Sequence, residues 1–206
     1  MPLTLEEGRR AVALARDTLV AHVRRAPAPR GFPDTGVFRE KRGVFVTLSA
    51  VHGGAKALRG CIGYPEPVKP LGQAIREVAV YASEDPRFPF PVAAEEVDRI
   101  VVEVSVLTVP SEVSTPVRAD LPSRVRVGED GLVVSNGYAS GLLLPQVATE
   151  QGWDAETFLS EACAKAGLSM DAWLDEGTKV RVFQAEVFEE TSPGGEVVKL
   201  ESATQG

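Results

Sequence analysis

Residues 100–108, IVVEVSVLT, constrain the fold most. The run is rich in Val, apolar on both alternating faces, and free of Gly and Pro. Such a segment reads as a strand covered on both sides, and it predicts a central place in a sheet. Glu103 breaks the pattern. With Ser105 it alternates onto one face, while Val102, Val104 and Val106 take the other. A carboxylate among valines is costly unless it is paired or turned to water. Glu103 therefore reads either as an edge carboxylate facing solvent or as a paired group, with Arg59 or Arg87 as its partner.

The rest of the chain alternates helical and strand signals around this run. Thr4 and Glu7 have capping-box spacing, and Leu5, Val12, Ala15, Leu19 and Val23 follow at helical period. His22 borders that face and reads as a surface histidine. Residues 26–36 are a Pro- and Gly-rich connector. Residues 43–50 predict a strand, His52-Gly53-Gly54 a hairpin loop, and Leu58 to Tyr64 the returning strand. Pro70 opens a second helix with Leu71, Ala74, Ile75, Val78, Ala79 and Ala82 as its stripe. Three prolines in residues 83–91 exclude regular structure there, and residues 92–98 add one or two helical turns.

In the second half, RVRVGEDGLVVSNG predicts two short strands around a Gly-Glu-Asp-Gly turn. Residues 154–166 predict a helix that buries Phe158, Leu159, Ala162, Cys163 and Ala166 and is closed by Gly167. Residues 180–188 form a last strand, and residues 192–206 a polar, frayed tail. Strands and helices without a strict βαβ rhythm indicate an α+β domain over 1–206, with a mainly antiparallel sheet and flanking helices.

Composition narrows function by exclusion. The net charge is −7, so the chain lacks the basic footprint of a nucleic-acid binder. Arg24, Arg25 and Arg30 form its densest basic stretch and read as a solvated linker. The two cysteines, Cys61 and Cys163, lie too far apart in sequence to imply a disulfide framework. Neither has a neighbouring Cys or His, and His22 and His52 do not complete a zinc set. No metal and no cofactor is assigned. The N-terminus is not a signal peptide. No apolar run, Leu142 to Leu144 included, approaches the roughly 20 residues of a membrane span. The cytoplasm is the default location.

The residues most suited to chemistry surround Cys61. In Leu58-Arg59-Gly60-Cys61-Ile62-Gly63, strand alternation puts Arg59 and Cys61 on one face and Leu58 and Ile62 on the other. The Arg59 guanidinium would favour a thiolate, and Gly60 and Gly63 leave room for close approach by backbone or ligand. Cys61 is then a reactive or ligand-touching thiol; the alternative is a small buried apolar residue. Cys61, Arg59, Glu103 and Ser105 would share a polar face. Asp85-Pro86-Arg87-Phe88 is a stiff loop that either presents its charges to a cleft or closes on itself as an ion pair. Gln146 lines a site or caps a helix. A Cys61–His52 pair would need the hairpin to bring them together. Phosphate loops, nucleophile elbows and zinc-protease helices are absent from the sequence.

Together these segments resemble the AMMECR-domain family. Leu58-Arg59-Gly60-Cys61-Ile62-Gly63 looks like its signature hexapeptide. The resemblance continues through Asp85-Pro86-Arg87-Phe88, Glu103 to Thr108, Gly141 to Val147, and the Trp153 to Leu168 segment ending Cys-Ala-Lys-Ala-Gly-Leu. The motifs run from about Val44 to Phe188. The resemblance implies an α+β fold with a larger and a smaller subdomain and a cleft lined by the hexapeptide. It implies no settled activity. It suggests, by genomic company, a Memo-like protein and a radical S-adenosylmethionine enzyme as partners.

Two functional classes follow. In one, the protein is an enzyme in which Cys61 is nucleophile or redox thiol, Arg59 activates it or holds an anion, and Glu103 orients Arg59 or acts as base. In the other, the same face binds a small anion or a partner segment without turnover. Arg59, Gly60, Gly63, Asp85, Arg87, Ser105 and Gln146 are the ligand-binding candidates for either.

Overall fold

The computed structural model describes residues 2–27 and 36–200. Arg30, most of the 26–36 connector and residues 201–206 of the predicted tail lie outside the described residues. In chain order the helices and strands are α1 (Leu5–Val23), β1 (Val44–His52), β2 (Ala55–Tyr64), α2 (Leu71–Ser83), β3 (Ile100–Leu107), β4 (Ser111–Glu112), β5 (Gly131–Ser135), β6 (Ser140–Leu143), α3 (Pro145–Gln151), α4 (Ala155–Lys165), β7 (Lys179–Phe183), β8 (Ala185–Glu190) and β9 (Val197–Leu200). Helices and antiparallel strand pairs make this an α+β chain. It divides into two compact units. One comprises Met1–Leu107 and Glu186–Leu200, the other Thr108–Ala185.

The first unit is built on a five-stranded sheet of order β2-β1-β3-β8-β9. The Val-rich strand β3 is its middle strand, as its two-sided apolar pattern predicts. One face packs under α1 and α2: Val44, Val46 and Leu48 of β1 and Val102, Val104 and Val106 of β3 are fully buried with Ile75, Val78 and Leu19. The capping box of α1 is formed: the Glu7 amide donates to Thr4 Oγ1 at 3.2 Å and the Thr4 amide to Glu7 Oε2 at 2.8 Å. Leu5 is exposed, against expectation. The buried stripe starts instead at Gly8, where a Cβ would lie 2.0 Å from the Phe188 ring of β8. The β1–β2 hairpin closes through Gly53 (φ +59°) and Gly54 (φ +85°). Two consecutive left-handed residues match the turn to the strand twist.

The second unit has a four-stranded sheet of order β4-β7-β5-β6. Leu132, Val134 and Val180 bury against Phe158, Leu159, Ala162 and Cys163 of α4. Asp154 caps that helix by accepting from the Thr157 amide at 2.8 Å, and Gly167 (φ +76°) follows its C-terminus. Gly141 lets β6 run against the end of α4, since a Cβ there would meet the Ala166 amide nitrogen at 2.4 Å.

Three further expectations are corrected. Residues 124–127 are not a strand. A 3-10 helix covers Arg118–Arg124, and the Asp130 carboxylate then folds the chain back by accepting from the Arg126 amide at 2.9 Å. The predicted strand over 180–188 is two strands in different sheets, β7 and β8. The break is at Gln184, whose carbonyl and amide both pair with Thr108, at 2.8 and 2.9 Å. Finally, residues 197–200 are not frayed: β9 pairs with β8, Glu190 facing Val197 in register. No helix among the described residues is long and apolar enough to cross a membrane.

Candidate functional site

The hexapeptide lies on the edge strand β2, and one irregularity decides where its side chains go. Leu48 pairs with Gly60 and Ser49 with Leu58, so Arg59 is an extra residue in a β-bulge. A bulge resets the alternation of side chains. Cys61 is thereby set opposite Thr47 on the face turned away from the helices, and Arg59 leaves that face. The Arg59 guanidinium is engaged elsewhere, through Nε and NH2. Nε donates to Glu96 Oε1 at 2.9 Å, and the same side chain reaches Glu96 Oε2 and the carbonyls of Phe90 and Pro91 at 2.9–3.1 Å. It also lies 5.5 Å from the Phe88 ring centroid. Arg59 holds the Glu96 carboxyl below its ordinary pKa. The expectation that Arg59 shares a face with Cys61 and Glu103 is thus overturned, and its acid is Glu96, not Glu103 or Asp85.

Asp85 and Arg87 grip the hexapeptide backbone instead. The Cys61 amide donates to Asp85 Oδ2 at 2.9 Å, and Arg87 donates to the Cys61 carbonyl at 2.9 Å. Arg87 also donates to Asp85 Oδ2 at 2.6 Å. The Asp85 side chain is wholly buried while Arg87 is 58% exposed. The Arg87 guanidinium beside it, helped by the Cys61 amide, holds the Asp85 carboxyl far below the usual range. The loop therefore closes on itself as an ion pair and clamps both polar groups of the Cys61 backbone.

The two glycines are occupied by the protein itself. A Cβ at Gly60 would lie 2.0 Å from the Ala82 carbonyl oxygen of α2, and one at Gly63 2.3 Å from the Phe45 ring. Their role is close packing of β2 on its neighbours, so the room read from sequence is not open to a ligand.

What shares a face with the thiol is a row across three strands. Cys61, Thr47 and Glu103 are successive register partners on β2, β1 and β3. The Thr47 hydroxyl donates to Cys61 Sγ at 3.3 Å. Cys61 is half-buried. Ser105 Oγ donates to Glu103 Oε1 at 3.2 Å. Burial pushes the Glu103 carboxyl up, and the nearby Glu189 carboxylate adds to the shift; the Ser105 and Thr47 hydroxyls and Lys56 oppose it. Lys56 is paired with Glu189 at 2.7 Å. Neither arginine expected to pair with Glu103 does so.

His52 is not a partner for Cys61. It sits on β1 five residues beyond Thr47, on the alternate face, roughly 17 Å along the strand. Gln146 lies in the second unit, exposed in the first turn of α3, and makes no side-chain cap. Cys163 is buried in α4, where desolvation pushes its thiol up. Among the described residues no group of three or more His, Cys, Asp and Glu could hold a metal ion. Sequence reading missed Thr47, Lys56, Glu96 and Glu189. Thr47 was discoverable, as the one polar residue between Val46 and Leu48 in a strand predicted to pair with the hexapeptide.

Comparison with known proteins gives the family and supports the fold. The AMMECR1 family profile matches residues 12–188. A protein of Methanothermobacter thermautotrophicus is 54% identical over 193 residues, covering 92% of this chain and 97% of its own. One from Methanocaldococcus jannaschii is 47% identical over 199 residues, covering 96% of each chain. The crystal structure of an uncharacterized protein from Pyrococcus horikoshii superposes with a TM-score of 0.74 at 48% identity, over 95% of this chain and 97% of that one. The chain belongs to the AMMECR1 family.

Proposed function

We propose that the helix-free face of the five-stranded sheet is a ligand site whose functional group is the Cys61 thiol, with Glu103 as its proton acceptor through Thr47. The observation that carries this is the unbroken row Cys61–Thr47–Glu103, with Thr47 Oγ1 at 3.3 Å from the sulfur. A hydroxyl both donates and accepts. Once the Thr47 hydroxyl turns its proton from the sulfur to the Glu103 carboxylate, the thiol proton passes to Thr47 Oγ1 as the Thr47 proton passes to Glu103. The sulfur is then the nucleophile and Glu103 holds the proton for return. Burial suits Glu103 to that task, because it favours the neutral acid. The Asp85–Arg87 clamp fixes the backbone from which the thiol projects.

The test is a double-mutant cycle on the alkylation rate of Cys61. Thr47→Val and Glu103→Gln each slow it, and the double variant is no slower than the slower single one. Independent, multiplicative effects, or none, contradict the relay.

A second reading has its own support. Arg59, Arg87 and Lys56 are all paired with carboxylates, which leaves no unpaired cation of the hexapeptide region beside the thiol. That suits a non-catalytic surface for a ligand or partner, the proposed partners being a Memo-like protein and a radical S-adenosylmethionine enzyme. Retention of both by a Cys61→Ser variant in an anaerobic pull-down supports this reading; failure of the wild-type chain to retain either removes it.

A further inference from the structure

In the second unit, Arg181 lacks the carboxylate partner that Arg59 and Arg87 have beside Cys61, and its hydrogen bonding is poor as well. Arg181 lies in the middle of β7 and is half-buried. Its Nε is buried with no hydrogen-bond partner. Its one hydrogen bond is a long one, from NH2 to Ser135 Oγ at 3.5 Å. Among the described residues no carboxylate lies within ion-pair distance of it. Its cross-strand neighbour Glu112 leans instead toward Lys179, at 4.0 Å. A partly buried guanidinium without an anion is costly, since it has lost water and gained little in return.

The register shows what surrounds it. Ser135 on β5 pairs with Lys179 on one side and Ser140 on the other; Val133 pairs with Arg181 and with Leu142. All six residues therefore share one face of the sheet. Gly131 and Phe183 close one end of that face and are buried, while Lys179 and Ser140 are exposed at the other. Arg181 stands at the boundary, beside two hydroxyls, a lysine, its register partner Glu112 and an apolar floor of Val133 and Leu142.

We infer that this face binds an oxyanion, a carboxylate or phosphoryl group carried on a small molecule, with Arg181 as its principal ligand and Ser135, Ser140 and Lys179 around it. A planar guanidinium presents paired donors that match two oxygens of either group. The inference is independent of the Cys61 reading.

The test is titration of the full chain with inorganic phosphate and, separately, acetate, each against chloride at matched ionic strength, followed by backbone amide shifts. The expected result is saturable shifts confined to residues near 133–135, 140–142 and 179–182 with at least one anion, and the stronger response identifies the preferred group. Arg181→Gln abolishes the saturation and Arg181→Lys keeps part of it. Should Arg181→Gln fold poorly, Lys179→Gln, on an exposed position, weakens the response several-fold in a folded chain. Non-saturating shifts with both anions, or saturation that neither Arg181→Lys nor Lys179→Gln changes, overturns the proposal.

Discussion

The two sides of strand β2 are built on opposite plans. On one side the charges of the hexapeptide region have close partners: Arg59 has Glu96 and two carbonyls, and Asp85 has Arg87 and the Cys61 amide. Gly60 sits against the Ala82 carbonyl with no space left. On the far side the Cys61 thiol meets a single hydroxyl, and the carboxyl beyond it is destabilised as an anion by burial. The first side holds the strand in place. The second sets a half-buried thiol in one row with a buried carboxyl. One hexapeptide serves both because the bulge at Arg59 sends its charge to one side and its thiol to the other.

Substitutions should separate the two sides by what they damage. The largest effect falls at Gly60→Ala. Its Cβ would lie 2.0 Å from a backbone oxygen, and neither strand nor helix can give way cheaply. Denaturant unfolding should show a loss of about 3 kcal/mol, whereas Cys61→Ala, one residue on, should stay within about 1 kcal/mol. A mild Gly60→Ala would break the contrast.

Asp85→Asn comes next, at about 2–3 kcal/mol near neutral pH, because it removes the charged acceptor from a buried hydrogen-bonded cluster. Its pH dependence has a definite sign. Asp85 has its folded pKa lowered by Arg87. Its contribution is therefore present above the ordinary aspartate value of about 3.9 and lost as pH falls below it through the folded value. The gap between wild type and Asp85→Asn should narrow in acid.

Glu103 should behave oppositely. Its folded pKa is raised, chiefly by burial, so the wild type loses stability as pH rises from the ordinary glutamate value of about 4.3 through the folded value. Thermal unfolding of Glu103→Gln should exceed wild type at pH 8 and show no gain at pH 4. A constant difference across that range would mean that Glu103 is not the titrating group. The smallest stability effect belongs to Thr47→Val, about 1 kcal/mol or less, yet it should slow Cys61 alkylation roughly fivefold, the equivalent of one lost hydrogen bond.

Much of this was legible from residues alone, and the gaps have physical causes. The middle position of β3 followed from valines on both of its faces, and the α4 boundaries from Asp154 and Gly167, whose side chain and backbone do local work. That Cys61 and Glu103 share a face was expected only with Glu103 paired, Arg59 or Arg87 being its natural candidate, because the register that joins β2, β1 and β3 is not local. The bulge was not legible. A strand pattern of period two gives no sign of an inserted residue, and that one residue moved Arg59 to Glu96. The division of residues 180–188 between two sheets was hidden likewise, because β7 and β8 run on with only Gln184 between them. Gly60 allowed close approach by backbone or by a ligand, and sequence could not choose because the occupant, the Ala82 carbonyl, is supplied by another element.

The most direct measurement is native-state alkylation by iodoacetamide, read site by site by mass spectrometry. Cys163, wholly buried in α4, is the internal reference. The account predicts that Cys61 is labelled in the folded protein while Cys163 is labelled only after denaturation. A Cys61 as silent as Cys163 until the chain unfolds would contradict it and leave the thiol a packing group.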